Sequence, residues 1–391
     1  MPSCAALVWL STILPILPLA VSVSAAEPPP ILSDEMGQPD PFPARWEERR
    51  RELLELFRTH VYGRVSAAEA RVTWEIDRTD KEAMDGRATL KQVTFKVTAP
   101  RGELTFPMVL FVPNERKAPA PAFLLILHHK PAEKMDATRT QRSESWPAEE
   151  IVAAGFAAAV FHAGAISAND RSALGGGIHA LLDDAERPAD AWGTIAAWSW
   201  GASRVLDYLA QDPDIDGRRV AVLGHSRGGK AALWAGAQDE RFWIVISNDS
   251  GCTGAALSRR RKGETVRQIN ASFPHWFCAN YKTFDDREDR LPVDQHMLIA
   301  CVAPRAVYVA SASEDAWADP EGEYESLRLA SEVWKRFGWQ GHLPERMPEP
   351  DTALHQSRIG CHVRAGKHGL KLADWNRYFE FARALLAEEN R

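Results

Sequence analysis

The sequence predicts an α/β fold, a three-layer αβα sandwich around a mixed, mostly parallel central sheet. The first observation is a set of short apolar runs typical of strands buried on both faces, at residues 123–127, 156–160, 220–223, 243–246 and 306–310. The second is that helical stretches separate these runs. Strands that alternate with helices form crossovers to parallel neighbours, so the runs predict the centre of one sheet.

The chain before these runs predicts an antiparallel edge of the same sheet. Residues 72–112 alternate apolar with polar side chains, which is typical of half-buried strands. Residues 46–61 have the spacing of a helix with one apolar face, and the proline-rich segment at 27–43 indicates an extended entry along the surface.

The amino terminus predicts export. The first 26 residues contain no Asp, Glu, Lys or Arg, and their apolar stretch ends in small residues at 23–25. This pattern is typical of a secretory signal peptide, which we place at residues 1–25. Pro15 and Pro18 disfavour a membrane anchor, which needs an unbroken apolar helix. We therefore expect a periplasmic or secreted protein, with a single catalytic domain at residues 26–391.

The composition is that of a globular protein. The chain has 391 residues, and its 47 Lys and Arg against 53 Asp and Glu give a net charge of −6. Binding to nucleic acid requires a basic surplus, so no nucleic-acid partner is expected. Loss of the leader would leave Cys252, Cys278, Cys301 and Cys361, too few for a disulfide framework, and their pairing is left open.

The strongest local motif follows the run at 220–223. Residues 224–230 read Gly-His-Ser-Arg-Gly-Gly-Lys, a GxSxG motif between a predicted strand and a predicted helix. In this setting a sharp turn exposes the serine as a nucleophile, and glycines provide the space that the turn needs. We predict Ser226 as the nucleophile of an α/β-hydrolase fold. The backbone amide of Arg227, at the helix start, can donate to an oxyanion.

A nucleophilic serine needs a histidine base and a carboxylate that orients the base. In α/β hydrolases the acid and then the histidine follow the serine along the chain. We predict His368 as the base, because it lies in a loop just after a strand-like run at 359–363. His362 lies within that run, where a buried, hydrogen-bonded role is favoured. His275 and His296 are the alternatives.

Two aspartates compete for the role of the acid. Asp315 follows the run at 306–310, and Asp249 follows the run at 243–246. Either carboxylate could reach the histidine, since the carboxyl ends of parallel strands meet in one crevice. The later position favours Asp315, with Asp249 as a second support.

Several longer motifs surround these residues. They are Gly-His-Ser-Arg-Gly-Gly-Lys at 224–230, Asn-Asp-Ser-Gly-Cys at 248–252, Leu-Ser-Arg-Arg at 257–260, Gly-Glu-Thr at 263–265, Ser-Phe-Pro-His-Trp-Phe at 272–277 and Pro-Val-Asp-Gln-His at 292–296. In this order they resemble the bacterial glucuronoyl esterases of carbohydrate esterase family 15. The resemblance is almost continuous over residues 220–320 and returns at 366–368.

The resemblance implies a serine esterase that cleaves esters of 4-O-methyl-D-glucuronic acid, the links between glucuronoxylan and lignin alcohols. It implies Ser226 as the nucleophile, His368 as the base and Arg227 as an oxyanion donor through its guanidinium and its amide. Three further side chains would hold the hydroxyls and ring of the sugar: Lys230, Glu264 and Trp317. Family members differ in which of the two positions holds the acid, so the resemblance leaves Asp249 and Asp315 as alternatives.

Some residues depart from the family or have another interpretation. Thr253 stands where the family has glycine, and the His-His-Lys-Pro-Ala-Glu-Lys loop at 128–134 has no match. The basic run at 259–262 is interpreted as a solvated loop with internal partners such as Glu264. A positive charge at a helix start opposes the helix dipole, which favours a ligand-binding role for Lys230 over a solvated one.

The sequence therefore predicts an exported, monomeric serine esterase. No metal or organic cofactor is expected, because nucleophile activation and oxyanion stabilisation lower the barrier. Two alternatives stay open. One is an exported hydrolase of acetyl or other carboxylic esters, or of peptides, on the same fold. The other is a non-catalytic carbohydrate-binding homologue.

Overall fold

The structure, a computed structural model, describes residues 26–32 and 42–389. The predicted signal peptide at 1–25 and part of the proline-rich segment lie outside the described residues. The strands are β1 Arg71–Ala83, β2 Ala88–Ala99, β3 Gly102–Pro113, β4 Ala120–Leu127, β5 Ala157–His162, β6 Ile215–His225, β7 Ile244–Asn248, β8 Ala306–Ala312, β9 Ala353–Gln356 and β10 Ile359–Arg364.

Helices connect and cover these strands. They are α1 Phe42–Phe57, α2 Pro131–Lys134, α3 Ala148–Ala153, α4 Gly177–Leu182, α5 Thr194–Leu209, α6 Arg227–Gln238, α7 Val266–Ser272, α8 Gln295–Ala300, α9 Pro320–Arg336 and α10 Leu372–Glu389. In the described ranges no helix is long and apolar enough to cross a membrane.

The strands form a single sheet in the order β1-β2-β3-β5-β4-β6-β7-β8-β10-β9. Strands β1 to β3 are antiparallel, and β3 also pairs antiparallel with β5. From β5 through β4, β6, β7 and β8 to β10, every neighbouring pair is parallel. The predicted antiparallel edge and mostly parallel centre are therefore confirmed. Strand β9 was not predicted, since its four residues are all half-buried and show no alternation.

Alternate residues of the central strands enter two separate cores, one on each face of the sheet. In β4, Leu124 and Ile126 pack in one core, while Phe123 and Leu125 pack in the other. A strand covered on both faces needs apolar side chains at every position, which explains the continuous runs. The helices α1, α5, α6 and α9 contribute buried tryptophans to the first core, and α10 contributes Trp375 to the second.

The predicted first helix is confirmed on its apolar face. Trp46, Leu53, Leu54 and Phe57 are buried along α1, and a five-residue π-helix, Arg58–Tyr62, continues it. The four cysteines of the described residues, Cys252, Cys278, Cys301 and Cys361, are all buried and free.

Candidate active site

Ser226 lies in a strained turn between β6 and α6. Its backbone has φ 56° and ψ −126°, in the region that L-residues rarely adopt. Its amide donates to the Asn248 carbonyl at 2.8 Å, which ties the turn to the end of β7. A Cβ on Gly224 would overlap the carbonyl of Gly228, so the turn requires glycine there. The predicted strand-turn-helix setting of the motif is confirmed.

His368 lies in the loop after β10 and meets both candidate acids. Its Nδ1 is 2.5 Å from Asp315 Oδ2 and 3.9 Å from Asp249 Oδ2. Asp249 Oδ2 accepts a hydrogen bond from the Gly369 amide at 2.9 Å, while its Oδ1 is buried without a partner. Burial raises the pKa of Asp249 well above its ordinary value. The structure thus brings together the two acids that the sequence proposed, and the shorter contact is to Asp315.

The loop that carries His368 is held by a buried arginine at the end of β10. The guanidinium of Arg364 donates to the carbonyls of Ala365, Lys367 and Gly369 at 3.0, 2.8 and 2.8 Å. Its Nε donates to Asp374 at 3.1 Å, and Asp374 is fully buried. This pair was not predicted from the sequence. Its only signal in the sequence is an arginine that ends a buried, mostly apolar strand.

Arg227 lies beside the serine on an aromatic platform. Its guanidinium carbon is 5.1 Å from the ring centre of Phe273 and 4.7 Å from that of Trp276. Burial lowers the pKa of Arg227, and the carboxylate of Glu264 partly opposes this shift. The motif at 272–277 that contributed to the resemblance thus lies directly at the serine.

On one side of Ser226 lies a cavity of about 350 Å³, which we call the Trp317 cavity. It is lined by the three predicted sugar-binding residues, Lys230, Glu264 and Trp317, and also by Arg227 and His368. Trp317 is 56% exposed, so its ring forms an accessible wall. All three side chains predicted to bind the sugar therefore line a cavity together with Ser226.

Lys230 is buried and held by the loop after β7. Its Nζ donates to the carbonyls of Ser250 and Cys252. Burial lowers its pKa, and the Glu264 carboxylate counteracts that shift. Burial likewise raises the pKa of Glu264, against the opposing effect of Lys230. A solvated position for Lys230 is thereby excluded, although the residue lines the cavity.

The loop after β7 has an unusual backbone. Thr253 has φ +57°, in the left-handed region that favours glycine, and its hydroxyl is 2.7 Å from the Tyr281 hydroxyl. This accounts for the glycine expected at this position. On the other side of the loop, the buried Glu323 of α9 accepts hydrogen bonds from the amides of Ser250 and Gly251, both at 2.8 Å.

Ser226 also lines a second cavity, of about 660 Å³, which we call the His129 cavity. Its wall includes the unmatched loop, through His128, His129 and Lys134, and the ring of His225, 4.5 Å from that of His368. Burial lowers the pKa of His225 to about 3 and that of His129 to about 4, so both rings are neutral at neutral pH.

The other candidate histidines do not line either cavity at Ser226. His296 Nε2 is 2.9 Å from the Pro29 carbonyl, and buried His275 lines neither cavity. His362 is buried in β10 and lies 2.8 Å from Asp374 and 3.0 Å from the Tyr308 hydroxyl. The prediction of a buried, hydrogen-bonded His362 is confirmed.

The basic run at 259–262 differs in part from its interpretation. Arg260 pairs with Asp319 at 2.9 Å and Arg261 with Glu288 at 2.8 Å, so internal partners are confirmed. Arg259 is buried rather than solvated, since its side chain reaches the Leu291 carbonyl across the loop. The expectation that Glu264 pairs with this run is wrong in the described structure, because Glu264 faces the Trp317 cavity instead.

One group of side chains has a geometry that a metal ion could use. The ligand atoms of Asp249, Asp315 and His368 all lie within 4.8 Å of one another, and no other such group occurs in the described part of the chain. A histidine and the carboxylate that orients it in a triad require the same proximity.

Known proteins resemble both the sequence and the fold. The sequence model of the glucuronyl esterase family of fungi matches residues 93–338. A carbohydrate esterase from an unknown prokaryotic organism is 41% identical over 86% of this chain and 84% of its own length. The 4-O-methyl-glucuronoyl methylesterase 1 of Phanerochaete chrysosporium is 33% identical over 44% of this chain, and that match spans 38% of the fungal protein.

Solved structures agree with these relatives. A glucuronoyl esterase from Solibacter usitatus matches with a TM-score of 0.86 and 37% identity, over 93% of this chain and 99% of that structure. A carbohydrate esterase family 15 glucuronoyl esterase from Teredinibacter turnerae matches with a TM-score of 0.82 and 29% identity, over 92% and 89% of the two chains.

Proposed function

The chain belongs to the glucuronoyl esterase family, and we propose on that premise that it is a serine esterase that hydrolyses esters of 4-O-methyl-D-glucuronic acid. One observation carries the proposal for this chain: the cavity lined by Lys230, Glu264 and Trp317 opens directly onto Ser226. The acyl part of such an ester is an uncharged sugar ring with several hydroxyls. Charged side chains can bind the hydroxyls, and an exposed indole can stack on the ring.

In the proposed reaction Ser226 attacks the ester carbonyl while His368 accepts its proton. The contact of 2.5 Å between His368 Nδ1 and Asp315 Oδ2 supports Asp315 as the carboxylate that orients the ring and stabilises the imidazolium. His368 then returns the proton to the departing alcohol. Water, activated by the same histidine, releases the uronic acid from the serine.

The negative charge that develops on the carbonyl oxygen needs donors beside the serine. The Arg227 amide at the start of α6 is one, and the Arg227 guanidinium supplies positive charge that burial makes more effective. The platform of Phe273 and Trp276 supports this role by restricting the guanidinium to the wall of the site.

The proposed natural substrate is the ester between a glucuronic acid branch of xylan and a lignin-type alcohol. We further propose export after removal of residues 1–25, and a monomeric single-domain enzyme that needs no cofactor. Two other functions compete with this proposal. The protein could hydrolyse acetylated sugars instead of glucuronoyl esters, or it could bind carbohydrate without catalysis.

The test compares three esters with the purified protein: benzyl glucuronate, an acetylated sugar and 4-nitrophenyl acetate. We expect turnover of the glucuronate, its loss by about 10⁴-fold or more in S226A, and a higher KM in K230M. Rapid acetate cleavage without glucuronate turnover would contradict the proposed substrate. Failure to hydrolyse any ester, together with xylan binding, would indicate a binding protein.

A further inference from the structure

The two cavities at the nucleophile share the residues that would react. Ser226, Arg227 and His368 line both the Trp317 cavity and the His129 cavity. An ester whose carbonyl carbon lies at Ser226 must direct its acyl part to one side and its alcohol to the other. If the sugar occupies the Trp317 cavity, the remaining space for the alcohol is the His129 cavity, which is the larger of the two.

Positively charged side chains outnumber negatively charged ones in the lining of the His129 cavity. Lys371 Nζ donates to Glu144 at 2.9 Å, so these two neutralise each other. Lys134 Nζ is 2.7 Å from His129 Nε2, and no carboxylate of the described residues lies within 4.0 Å of that Nζ. Arg227 adds a further positive charge at the serine.

The contact between Lys134 and His129 determines which N–H donors remain free to bind a ligand. An ammonium can only donate, so His129 accepts at Nε2 and its own hydrogen lies on Nδ1. Lys134 retains two N–H donors and its charge for a ligand. A half-buried cation without a carboxylate partner binds an anionic oxygen more strongly than a neutral one.

We propose that the His129 cavity receives the leaving alcohol and that Lys134 selects alcohols carrying an anionic or strongly accepting oxygen. This inference rests on the proposed function, because it assigns the sugar to the Trp317 cavity. It concerns the loop at 128–134 and makes Lys134 a specificity-determining residue. Hydrocarbon alcohols offer its N–H donors no acceptor.

The experiment compares glucuronate esters that differ only in the alcohol: benzyl, 4-methylbenzyl, 4-methoxybenzyl, and 3- and 4-carboxybenzyl. All of them give the same acyl-enzyme, so differences in kcat/KM arise in the step in which the alcohol is present. Each value is divided by the hydroxide-catalysed rate of the same ester, which removes the effect of the substituent on intrinsic reactivity.

We expect the wild type to prefer a carboxybenzyl over the 4-methylbenzyl ester by about fivefold at low salt, and the preference to shrink in 0.5 M salt. K134M should abolish the preference and K134R should retain most of it. K130M is the matched control, since Lys130 is exposed and pairs with Glu133 at 3.1 Å, and it should keep the wild-type ratio.

Three results would overturn the inference while the proposed function stands: equal rates for all esters, a preference for 4-methylbenzyl, or an unchanged ratio in K134M. If K134M does not fold, the ester series and the salt titration of the wild type still test the inference. Failure of the wild type to cleave every glucuronate ester would instead overturn the proposed function, and the inference with it.

Discussion

Asp315 and Asp249 reach the same imidazole from the ends of neighbouring strands. Asp315 lies 2.5 Å from His368 Nδ1, while the Asp249 oxygen at 3.9 Å already accepts the Gly369 amide. Burial also raises the pKa of Asp249, which disfavours its charged form. A carboxylate that stabilises an imidazolium must be charged. These observations favour Asp315 as the acid and a structural role for Asp249.

Exchanging each acid for its amide tests this assignment. D315N should lower kcat on benzyl glucuronate by about 10³- to 10⁴-fold, because an amide does not stabilise the imidazolium. D249N should lower kcat by less than about tenfold, since its amide oxygen can still accept the Gly369 N–H. Steady-state kinetics and thermal unfolding of both variants provide the measurement. If D249N loses most of its kcat and D315N keeps it, Asp249 is the acid instead of Asp315.

At the scale of elements, the loop after β10 depends on a single side chain. Arg364 donates to three carbonyls of this loop and is itself anchored by buried Asp374. The planar guanidinium of arginine has five N–H donors and can make these contacts together, whereas a lysine ammonium cannot. The position of His368 therefore depends on Arg364, although Arg364 does not line either cavity at the serine.

R364K should lower kcat by about 10- to 100-fold with a smaller change in KM, because the base is displaced while the sugar cavity is intact. Kinetics well below the unfolding temperature separate this effect from lost stability. R377K is the matched control, since Arg377 is a partly exposed arginine of the next helix that pairs with Glu380 at 3.0 Å. Equal activity of R364K and wild type would refute the positioning role.

The contact between α9 and the loop after β7 should make stability depend on pH. Burial raises the pKa of Glu323 to about 7, from an ordinary 4.5, although hydrogen bonds from Ser311 and the loop oppose the shift. The folded protein therefore keeps a proton that the unfolded chain has lost. This contribution is fully present below about pH 4.5 and is lost as the pH rises to about 7.

E323Q removes this titration while its amide oxygen can still accept the two loop amides. The stability of wild type relative to E323Q should fall by about 3 kcal/mol between pH 4.5 and pH 7.5. Urea unfolding of both proteins across this range measures the difference. The same comparison with E332Q, whose wild-type glutamate is exposed and pairs with Lys335, should show no such slope. Parallel curves for wild type and E323Q would exclude the raised pKa.

At the scale of the whole molecule, the sheet order brings the site together. Strands β4, β6, β7, β8 and β10 are consecutive parallel neighbours, so the loops at their carboxyl ends lie side by side. These loops carry, in the same order, His128, Ser226, Asp249, Asp315 and His368. Residues up to 240 positions apart in the chain thus share one edge of the sheet.

The leader and the cysteines give a further prediction at this scale. The proposed removal of residues 1–25 would take Cys4 with it, and the remaining four cysteines are buried and free. The exported protein should therefore show four thiols after denaturation and almost none while folded. Thiol titration with amino-terminal sequencing or intact mass provides the check. Five thiols would mean that the leader is retained, and two or none would mean that disulfides form.

Local sequence was sufficient to predict the class of the fold and the strand, turn and helix that hold Ser226. Continuous apolar runs recur because both faces of the central strands are covered, and the GxSxG motif requires its strand, turn and helix within a few residues. The family resemblance also implied Lys230, Glu264 and Trp317 as sugar-binding residues, and all three line the cavity at Ser226. Strand β9 and the Arg364–Asp374 pair gave no periodic signal and were missed.

The sequence by itself determined a mostly parallel α/β fold, the serine at its elbow and a short list of partners for that serine. Only the tertiary structure placed Asp315 nearer than Asp249 to His368 and showed that Arg259, expected in a solvated loop, lies in the interior. The physical reason is that secondary structure follows from neighbours along the chain. Distances across the sheet depend on strand order and on loops that the packing of two cores fixes.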